Sequence, residues 1–269
     1  MTLPYIAASS YLNAAPLCYS FIHGSQKDRC RFLSDAAPSR CADLLREGQA
    51  DAALIPVIEY QRIKGLRIVP GACVSSRKSV RSVLLASKTP IEHVGRVALD
   101  ISSRTSAALI QIILGRFYGL SPAYETFPPR IQDMLETNDA ALLIGDPAML
   151  IDRSGLHVYD LAEEWIKHTG LPFVFAFWAC RSDRAAGEVD FLTAKEEGIA
   201  NISRIAEAYS AELGLPGEDL VKYLTENINF DLDERSLQGL RLYYQLALEC
   251  GLIDNLTEPV FIPNDEARR

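Results

Sequence analysis

Several features that define common functional classes are missing from this 269-residue sequence. Apolar runs all stop short of the ~18 residues that a membrane-spanning helix needs, so no span is predicted. The six cysteines form no C-x-x-C pair, and none has a histidine at ligand spacing, which argues against a zinc site or a redox pair. Fixed-period repeats and low-complexity tracts are missing too. We therefore expect a globular protein without a metal or another cofactor.

Positive charge is also scarce. The chain has 27 Lys and Arg against 35 Asp and Glu, a net charge of −8, which disfavours nucleic acid as a partner. The first residues enter a predicted strand without the basic and apolar regions of a signal peptide. With scattered cysteines that suit a reducing compartment, this predicts the cytoplasm and no membrane partner. A small anionic ligand remains compatible, since its binding depends on local dipoles and a few cations.

What the chain does contain is a regular alternation of strand-like and helix-like segments. Apolar runs at 5–8, 31–33 and 51–56 are predicted as strands, and helical periodicity at 17–22 and 38–48 predicts the helices between them. This β-α-β-α-β order implies parallel strands that are joined by crossover helices.

A second series of the same kind begins near residue 87. Strands are predicted at 96–100 and 140–144, and a strongly apolar helix is predicted at 107–118. The aromatic run at 171–181 is longer than a typical strand of about 5–6 residues. We therefore expect it to carry the chain from one lobe back to the other.

The sequence thus predicts an α/β fold of two lobes, each a mainly parallel sheet flanked by helices, with a ligand cleft between the lobes. Residues 1–86 and 180–269 are assigned to the first lobe, and residues 87–179 to a second lobe inserted into it. The C-terminal helices are expected to return to the first lobe. The polar tail at 264–269 is expected to be loose.

The turn after the first predicted strand is the first candidate site. It contains Ser10 and Asn13 and leads directly into a helix. Ligands of open α/β sheets bind beyond the carboxyl ends of the strands, and the first helical turn offers N–H groups to an anion. The alternative is an ordinary strand–turn–helix with a Ser or Asn cap.

The turn at 101–106 in the second lobe is rich in hydroxyl groups. Ser103, Thr105 and Ser106 stand beside Arg104. These side chains either cap the following helix or bind an anion, and three hydroxyls with a cation exceed what capping needs.

Two further candidates adjoin predicted strands. Asp146 follows the strand at 140–144, where it is either a helix N-cap or a cleft residue that a ligand approaches over Gly145. Ser82 begins a strand after the polar connection 75–81, which is either a solvated turn or part of the site. Facing lobes would bring all these turns to one cleft, a favoured place for small ligands, and closure would expel water.

Six segments spread over nearly the whole chain match one known family. They are Ser10 to Leu17, Asp51 to Pro56, Ser82 to Leu85, Ser103 to Ser106, Gly145 to Ala148 and Leu171 to Trp178. The first, Ser-Tyr-Leu-Asn-x-x-Pro-Leu, is the most specific. With these segments the chain resembles the chorismate dehydratase family of menaquinone biosynthesis, whose enzymes open the futalosine route. The two-lobed arrangement resembles the type-2 periplasmic binding protein fold.

The resemblance implies a cofactor-free hydro-lyase that converts chorismate to 3-[(1-carboxyvinyl)oxy]benzoate and water. The implied route is an E1cB-type elimination in which the substrate's own enolpyruvyl carboxylate takes the proton. Asn13 and Ser82 match polar active-site positions of the family and are the implied catalytic residues. The candidates for substrate binding are Ser10, Ser103, Thr105, Ser106 and Asp146. A monomer or a homodimer is expected.

The residues alone leave other functions open. No protein base is evident, because His23, His93, His157 and His168 all lie outside the strand-end turns. One alternative is a non-catalytic cytoplasmic protein that binds a small anion. Another is an enzyme that acts at a different step of the same pathway.

Overall fold

The computed structural model of the chain describes residues 3–35, 37–181 and 189–263. In this part the strands are β1 (Tyr5–Ser9), β2 (Arg31–Asp35), β3 (Ala52–Pro56), β4 (Arg67–Ser76), β5 (Val83–Ser87), β6 (Arg96–Asp100), β7 (Ala123–Phe127), β8 (Ala140–Ile144), β9 (His157–Asp160) and β10 (Phe173–Cys180). The α-helices are α1 (Ala15–His23), α2 (Pro38–Arg46), α3 (Ile58–Arg62), α4 (Thr105–Ile112), α5 (Ile131–Thr137), α6 (Gly145–Met149), α7 (Leu161–Thr169), α8 (Phe191–Ala200), α9 (Ile202–Leu213), α10 (Gly217–Lys222) and α11 (Glu234–Glu249). The predicted tail at 264–269 lies outside the described residues.

The described residues form two compact units, each with its own five-stranded sheet. The first unit takes its residues from Met1–Ser75, Val174–Asp233 and Thr257–Arg269, and the second from Ser76–Phe173 and Glu234–Leu256. These bounds differ from those of the predicted lobes, because β5 and α11 belong to the second unit and nearly all of β10 belongs to the first.

The sheet of the first unit has the strand order β2-β1-β3-β10-β4. Strand β1 is parallel to β2 and β3, as crossover helices require, whereas β10 is antiparallel to β3. Helix α2 packs on β3, and α1 packs against α8. Because β1 and β3 are parallel neighbours, the turns that follow them, at 9–13 and 56–58, lie at one edge of this sheet.

The sheet of the second unit has the order β7-β6-β8-β5-β9. Strand β6 is parallel to β7 and β8, and β5 is antiparallel to β8 and β9. Val83 at the start of β5 therefore pairs with Ile144 at the end of β8. This direction brings the segment before β5 to the edge where β6 and β8 end.

The structure confirms the predicted α/β fold class, with two sheets that are flanked by helices. Both sheets are mixed, however, since β10 is antiparallel to β3, and β5 is antiparallel to β8 and β9. The parallel pairs β1–β2, β1–β3 and β6–β8 join predicted strands in the direction that the β-α-β order predicts, whereas β7 is not among the predicted strands. Within the described residues, none of the helices has the length and apolar character to cross a membrane.

Helix α11 packs in the second unit through contacts of its buried face. The ring of Tyr243 meets the ring of Phe173 edge-on, at 5.0 Å between centroids, and its hydroxyl donates to the Thr105 carbonyl at 3.0 Å. Gly239 lies so close to the loop before β10 that an added Cβ would stand 2.1 Å from the Pro172 carbonyl oxygen. The predicted return of this helix to the first lobe thus differs from the packing that the structure shows.

Candidate functional site

The turn after β1 in the first unit is held in place by neighbours on both sides. The backbone N–H of Ser10 donates to the Asp35 carbonyl at 2.7 Å, at the end of β2. Tyr209 in α9 donates its hydroxyl to the Ser10 carbonyl at 2.6 Å, and the Ser9 hydroxyl accepts from the Tyr11 N–H at 3.2 Å. Ser10 itself is exposed. The position of this turn is therefore well determined by residues far away in sequence.

Asn13 lies just beyond this turn, in a short 3₁₀ helix, Leu12–Ala14. The N-cap of α1 is Ala14, which makes no side-chain capping bond, so Asn13 does not cap that helix. Its side chain is partly buried, and no hydrogen bond that it makes is found in the described part of the chain. Both polar atoms of the amide are therefore available to a ligand.

Asp100 ends β6 in the second unit and is 1% exposed. Its carboxylate accepts hydrogen bonds from the Ser102 N–H at 2.9 Å, the Ser102 hydroxyl at 2.6 Å and the Ile144 N–H at 3.3 Å. Burial raises the pKa of this carboxyl, and the three hydrogen bonds oppose that rise. Asp100 thus joins the hydroxyl-rich turn to the end of β8.

The hydroxyl-rich turn leads directly into α4. The N-cap position is Arg104, and its side chain makes no capping bond. Ser103, Thr105 and Ser106 are all buried, with 3–7% exposure. Buried hydroxyls at the start of a helix, next to a partly buried arginine, are donors suited to a carboxylate. This favours the anion-binding interpretation of the turn.

Ser82 and the start of α6 meet at the same edge. Ser82 is fully buried, and its carbonyl accepts from the Gly145 N–H at 2.8 Å. Gly145 has a φ of 63°, a left-handed conformation that glycine adopts without strain. The N-cap of α6 is Ile144, so Asp146 lies in the first turn and not at the cap position.

The second unit thus brings all its candidate residues to one edge of its sheet, as the sequence predicts for strand-end turns. These residues are Ser82, Ser103, Thr105, Ser106 and Asp146. Ser10 and Asn13 lie at the equivalent edge of the first unit. Within the described residues, no group of three or more His, Cys, Asp or Glu side chains is arranged to hold a metal ion.

Three residues at these edges are not among the sequence-derived candidates. Asp100 and Asp160 are buried carboxylates at the ends of strands, and Tyr209 reaches the first turn from a distant helix. Only Asp100 has a local signal, because an aspartate at the end of an otherwise apolar strand, directly before a polar turn, needs a hydrogen-bond partner. Asp160 and Tyr209 depend on contacts that the sequence does not display.

A family model described as menaquinone biosynthesis matches residues 4–249. The chain belongs to this menaquinone biosynthesis family. This membership confirms the resemblance that the six sequence segments carry.

Two relatives in the family are chorismate dehydratases. The enzyme of Thermus thermophilus is 31% identical over 262 residues, which cover 89% of this chain and 94% of the relative. The enzyme of Campylobacter jejuni is 27% identical over 207 residues, covering 77% of this chain and 79% of the relative. Both alignments therefore extend through most of each protein.

Solved structures support the fold independently. A protein of Archaeoglobus fulgidus is 22% identical, with a TM-score of 0.76, and the match covers 93% of this chain and 98% of that one. The periplasmic aliphatic sulphonate binding protein SsuA of Escherichia coli is 17% identical, with a TM-score of 0.67 and coverage of 98% and 94%. At this identity the likeness shows a periplasmic-binding-protein-like fold and nothing about ligands.

Proposed function

We propose that the chain is a chorismate dehydratase, a hydro-lyase that forms 3-[(1-carboxyvinyl)oxy]benzoate and water in menaquinone biosynthesis. The observation that carries this conclusion is the 31% identity to the Thermus enzyme over 94% of that enzyme's length. Family membership across residues 4–249 agrees with it. We further propose that this step opens the futalosine route.

The reaction removes a proton from ring carbon C3 and hydroxide from C4. The C3 proton is vinylogous to the ring carboxylate, so the negative charge that forms is delocalised through the diene onto that carboxylate. Loss of the C4 hydroxyl then gives an aromatic ring, which drives the reaction. Catalysis of such a step needs fixed donors at the oxygens where charge accumulates.

The hydroxyl-rich turn is our candidate for the carboxylate site. The hydroxyls of Ser103, Thr105 and Ser106 lie at the start of α4, where the helix dipole also favours an anion. Asp146 is our candidate for contact with the leaving C4 hydroxyl. Ser10, whose backbone is held on both sides, is assigned to substrate binding at the first unit's edge.

Asn13 and Ser82 are assigned the catalytic positions, where they orient the substrate. The half-buried amide of Asn13 supports this role, because both its polar atoms are available to a ligand. The assignment of Ser82 is supported by its position. It directly precedes β5, its carbonyl accepts from the Gly145 N–H, and it lies at the same sheet edge as the other candidates of the second unit. The proton goes to the enolpyruvyl carboxylate of the substrate itself.

We place the enzyme in the cytoplasm, where its free cysteines would stay reduced. A monomer or a homodimer is expected, and light scattering on the purified protein distinguishes the two.

The activity is tested by incubating purified protein with chorismate and following the absorbance of a new aromatic product. Mass spectrometry should show a product lighter than chorismate by one water. Calorimetry under the same conditions separates the alternatives. Chorismate that binds without turnover would indicate a small-anion binding protein, and neither binding nor turnover would point to another step of the pathway.

A further inference from the structure

The residue directly before Ser82 has an unusual backbone conformation. Arg81 has a φ of 63°, and among the described residues it is the one residue other than glycine with a positive φ. A side chain as large as arginine rarely adopts this conformation, which persists only where surrounding contacts impose it. Something in the second unit must therefore hold Arg81.

The contact that holds it is the carboxylate of Asp160, at the end of β9. Its Oδ2 accepts from the Arg81 N–H at 2.6 Å, and its Oδ1 accepts from the Val80 N–H at 3.1 Å. The same carboxylate caps α7, where Oδ1 accepts from the N–H groups of Ala162 at 3.0 Å and Glu163 at 3.2 Å. One buried side chain thus accepts four backbone hydrogen bonds from two segments about 80 residues apart.

The position of Asp160 follows from the pairing of the strands. It lies opposite Leu84, in the register of the antiparallel pair β5–β9. Before β5 begins, the chain turns away from this ladder, and the Asp160 side chain replaces the backbone acceptor for Val80 and Arg81. On the other side, the Ser82 carbonyl accepts from Gly145. Ser82 is therefore fixed between a carboxylate-bound turn and the end of β8.

We propose that Asp160 is a positioning residue for Ser82: by binding the N–H groups of Val80 and Arg81, it imposes the left-handed turn that sets the Ser82 side chain at the site. This rests on the proposed function, in which Ser82 orients the substrate. Asp160 makes no contact with substrate in this scheme and acts through the backbone alone.

A second aspartate in the chain provides a matched control for the capping role. Asp190 caps α8 and accepts from the N–H groups of Leu192 at 3.1 Å and Thr193 at 2.9 Å. This cap uses the same two N–H positions as that of Asp160 and has no strained turn attached. Asp190 differs in being exposed and in accepting also from the Thr193 hydroxyl at 2.8 Å. In both variants asparagine keeps one oxygen for the helix cap. In Asp160→Asn, however, an NH2 group takes the place of Oδ2, the acceptor for the Arg81 N–H.

The first test compares the steady-state kinetics of these two variants on chorismate. We expect Asp160→Asn to lose about 10- to 100-fold in kcat with little change in KM, since misplacement of a site group typically costs that much. Asp190→Asn should keep the wild-type kcat. Equal kcat values in both variants would overturn the proposal.

Asp160→Ser is a second variant that keeps the test valid should Asp160→Asn fail to fold. Serine is also a good N-cap, so α7 keeps its cap while the second pair of hydrogen bonds is lost. We expect wild-type-like thermal stability with the same loss in kcat. Unchanged kcat in this folded variant would also contradict the proposal.

The role of the strain is tested by adding Arg81→Gly. Glycine adopts a positive φ without strain, so the turn no longer depends on the carboxylate. Asp160→Asn should then reduce kcat several-fold less in the Arg81→Gly background than in the wild-type background. An equal reduction in both backgrounds would rule out the backbone route from Asp160 to Ser82.

Amide hydrogen exchange separates this inference from the proposed function. In Asp160→Asn, the amides of residues 79–82 should exchange faster than in wild type and in Asp190→Asn. That result would support the positioning role even if the wild-type protein does not turn over chorismate, in which case only the proposed function fails. Unchanged exchange at 79–82 would refute the positioning role whatever the activity.

Discussion

Asn13 illustrates how a single residue differs from its local surroundings. Its neighbours in the short 3₁₀ helix, Leu12 and Ala14, are both buried, whereas the side chain of Asn13 is only partly buried. No hydrogen bond to this amide is found in the described part of the chain, so the amide contributes little to the stability of the fold. The proposed role of Asn13 therefore predicts that its substitution affects turnover much more than stability.

The first prediction concerns Asn13→Ala. We expect kcat on chorismate to fall by about 100-fold or more, as for removal of one preorganised donor. The stability should change by no more than about 0.5 kcal/mol, because no internal hydrogen bond is lost. Kinetics and thermal unfolding of the purified variant measure the two effects.

Asn138→Ala is the control for this prediction. Asn138 is 2% exposed and donates to the Met134 carbonyl at 3.0 Å, so its loss should cost about 1 kcal/mol or more of stability. Its kcat should remain near wild type. A wild-type kcat for Asn13→Ala would remove Asn13 from the catalytic assignment.

At the scale of elements, the close contact of α8 with α1 determines how the helix after the Asn13 turn is placed. Gly198 in α8 lies against the backbone of α1, where an added Cβ would stand 1.7 Å from the Pro16 carbonyl oxygen. Backbone atoms cannot move aside as a flexible side chain can. The first turn of α1 is therefore positioned by a glycine that is almost 200 residues away.

The second prediction is that Gly198→Ala destabilises the protein by about 1–3 kcal/mol, the cost of overpacking. The matched control is Gly217→Ala in α10, where the nearest atom to the new Cβ lies 3.9 Å away. That change should be neutral or slightly stabilising, because alanine favours helix. Denaturant unfolding of both variants tests this, and equal stabilities would show that α8 can move away from α1.

The elements also show how far the sequence determines this structure. The apolar strands β1, β3, β6 and β8 and the turns after them were predictable, since buried strands and polar turns have strong local patterns. Strand β7 and helix α5 have no counterpart in the sequence-based prediction, because β7 is largely exposed and carries little apolar pattern. The directions of β5 and β10 depend on pairing between distant segments, which composition does not encode.

The candidate site divides in the same way. The hydroxyls of the 103–106 turn, Ser82 and Asn13 were recognisable from their places at strand ends and from the family resemblance. The carboxylate of Asp100 has a local signal at the end of an apolar strand, but its bond to Ile144 spans 44 residues. The bonds of Asp160 to Val80 and Arg81 span about 80 residues and have no local signal. Their roles follow from strand register, which only the folded chain shows.

At the scale of the whole molecule, the cysteines report on the integrity of the first unit, which contains all five of the buried ones. Five of the six are buried, and Cys250 after α11 is exposed. Burial raises the pKa of Cys30 to about 11 and that of Cys41 and Cys73 to about 12. These thiols are therefore both shielded and protonated near neutral pH.

The third prediction is that one thiol per chain, that of the exposed Cys250, reacts promptly with dithionitrobenzoate at about pH 8, although partial burial raises its pKa. Cys250→Ser should abolish this fast reaction, and all six thiols should react in guanidinium chloride. Prompt labelling of two or more thiols in the native protein would contradict the burial that the structure shows.

The family assignment, the fold and the two sets of edge residues together support one central claim, that the protein removes water from chorismate. The most direct measurement is a proton NMR spectrum of chorismate after incubation with the purified protein. We expect the ring signals of chorismate to be replaced by those of a 3-substituted benzoate, with the enolpyruvyl methylene signals retained. An unchanged chorismate spectrum, or an aromatic product that has lost the enolpyruvyl group, would contradict the claim.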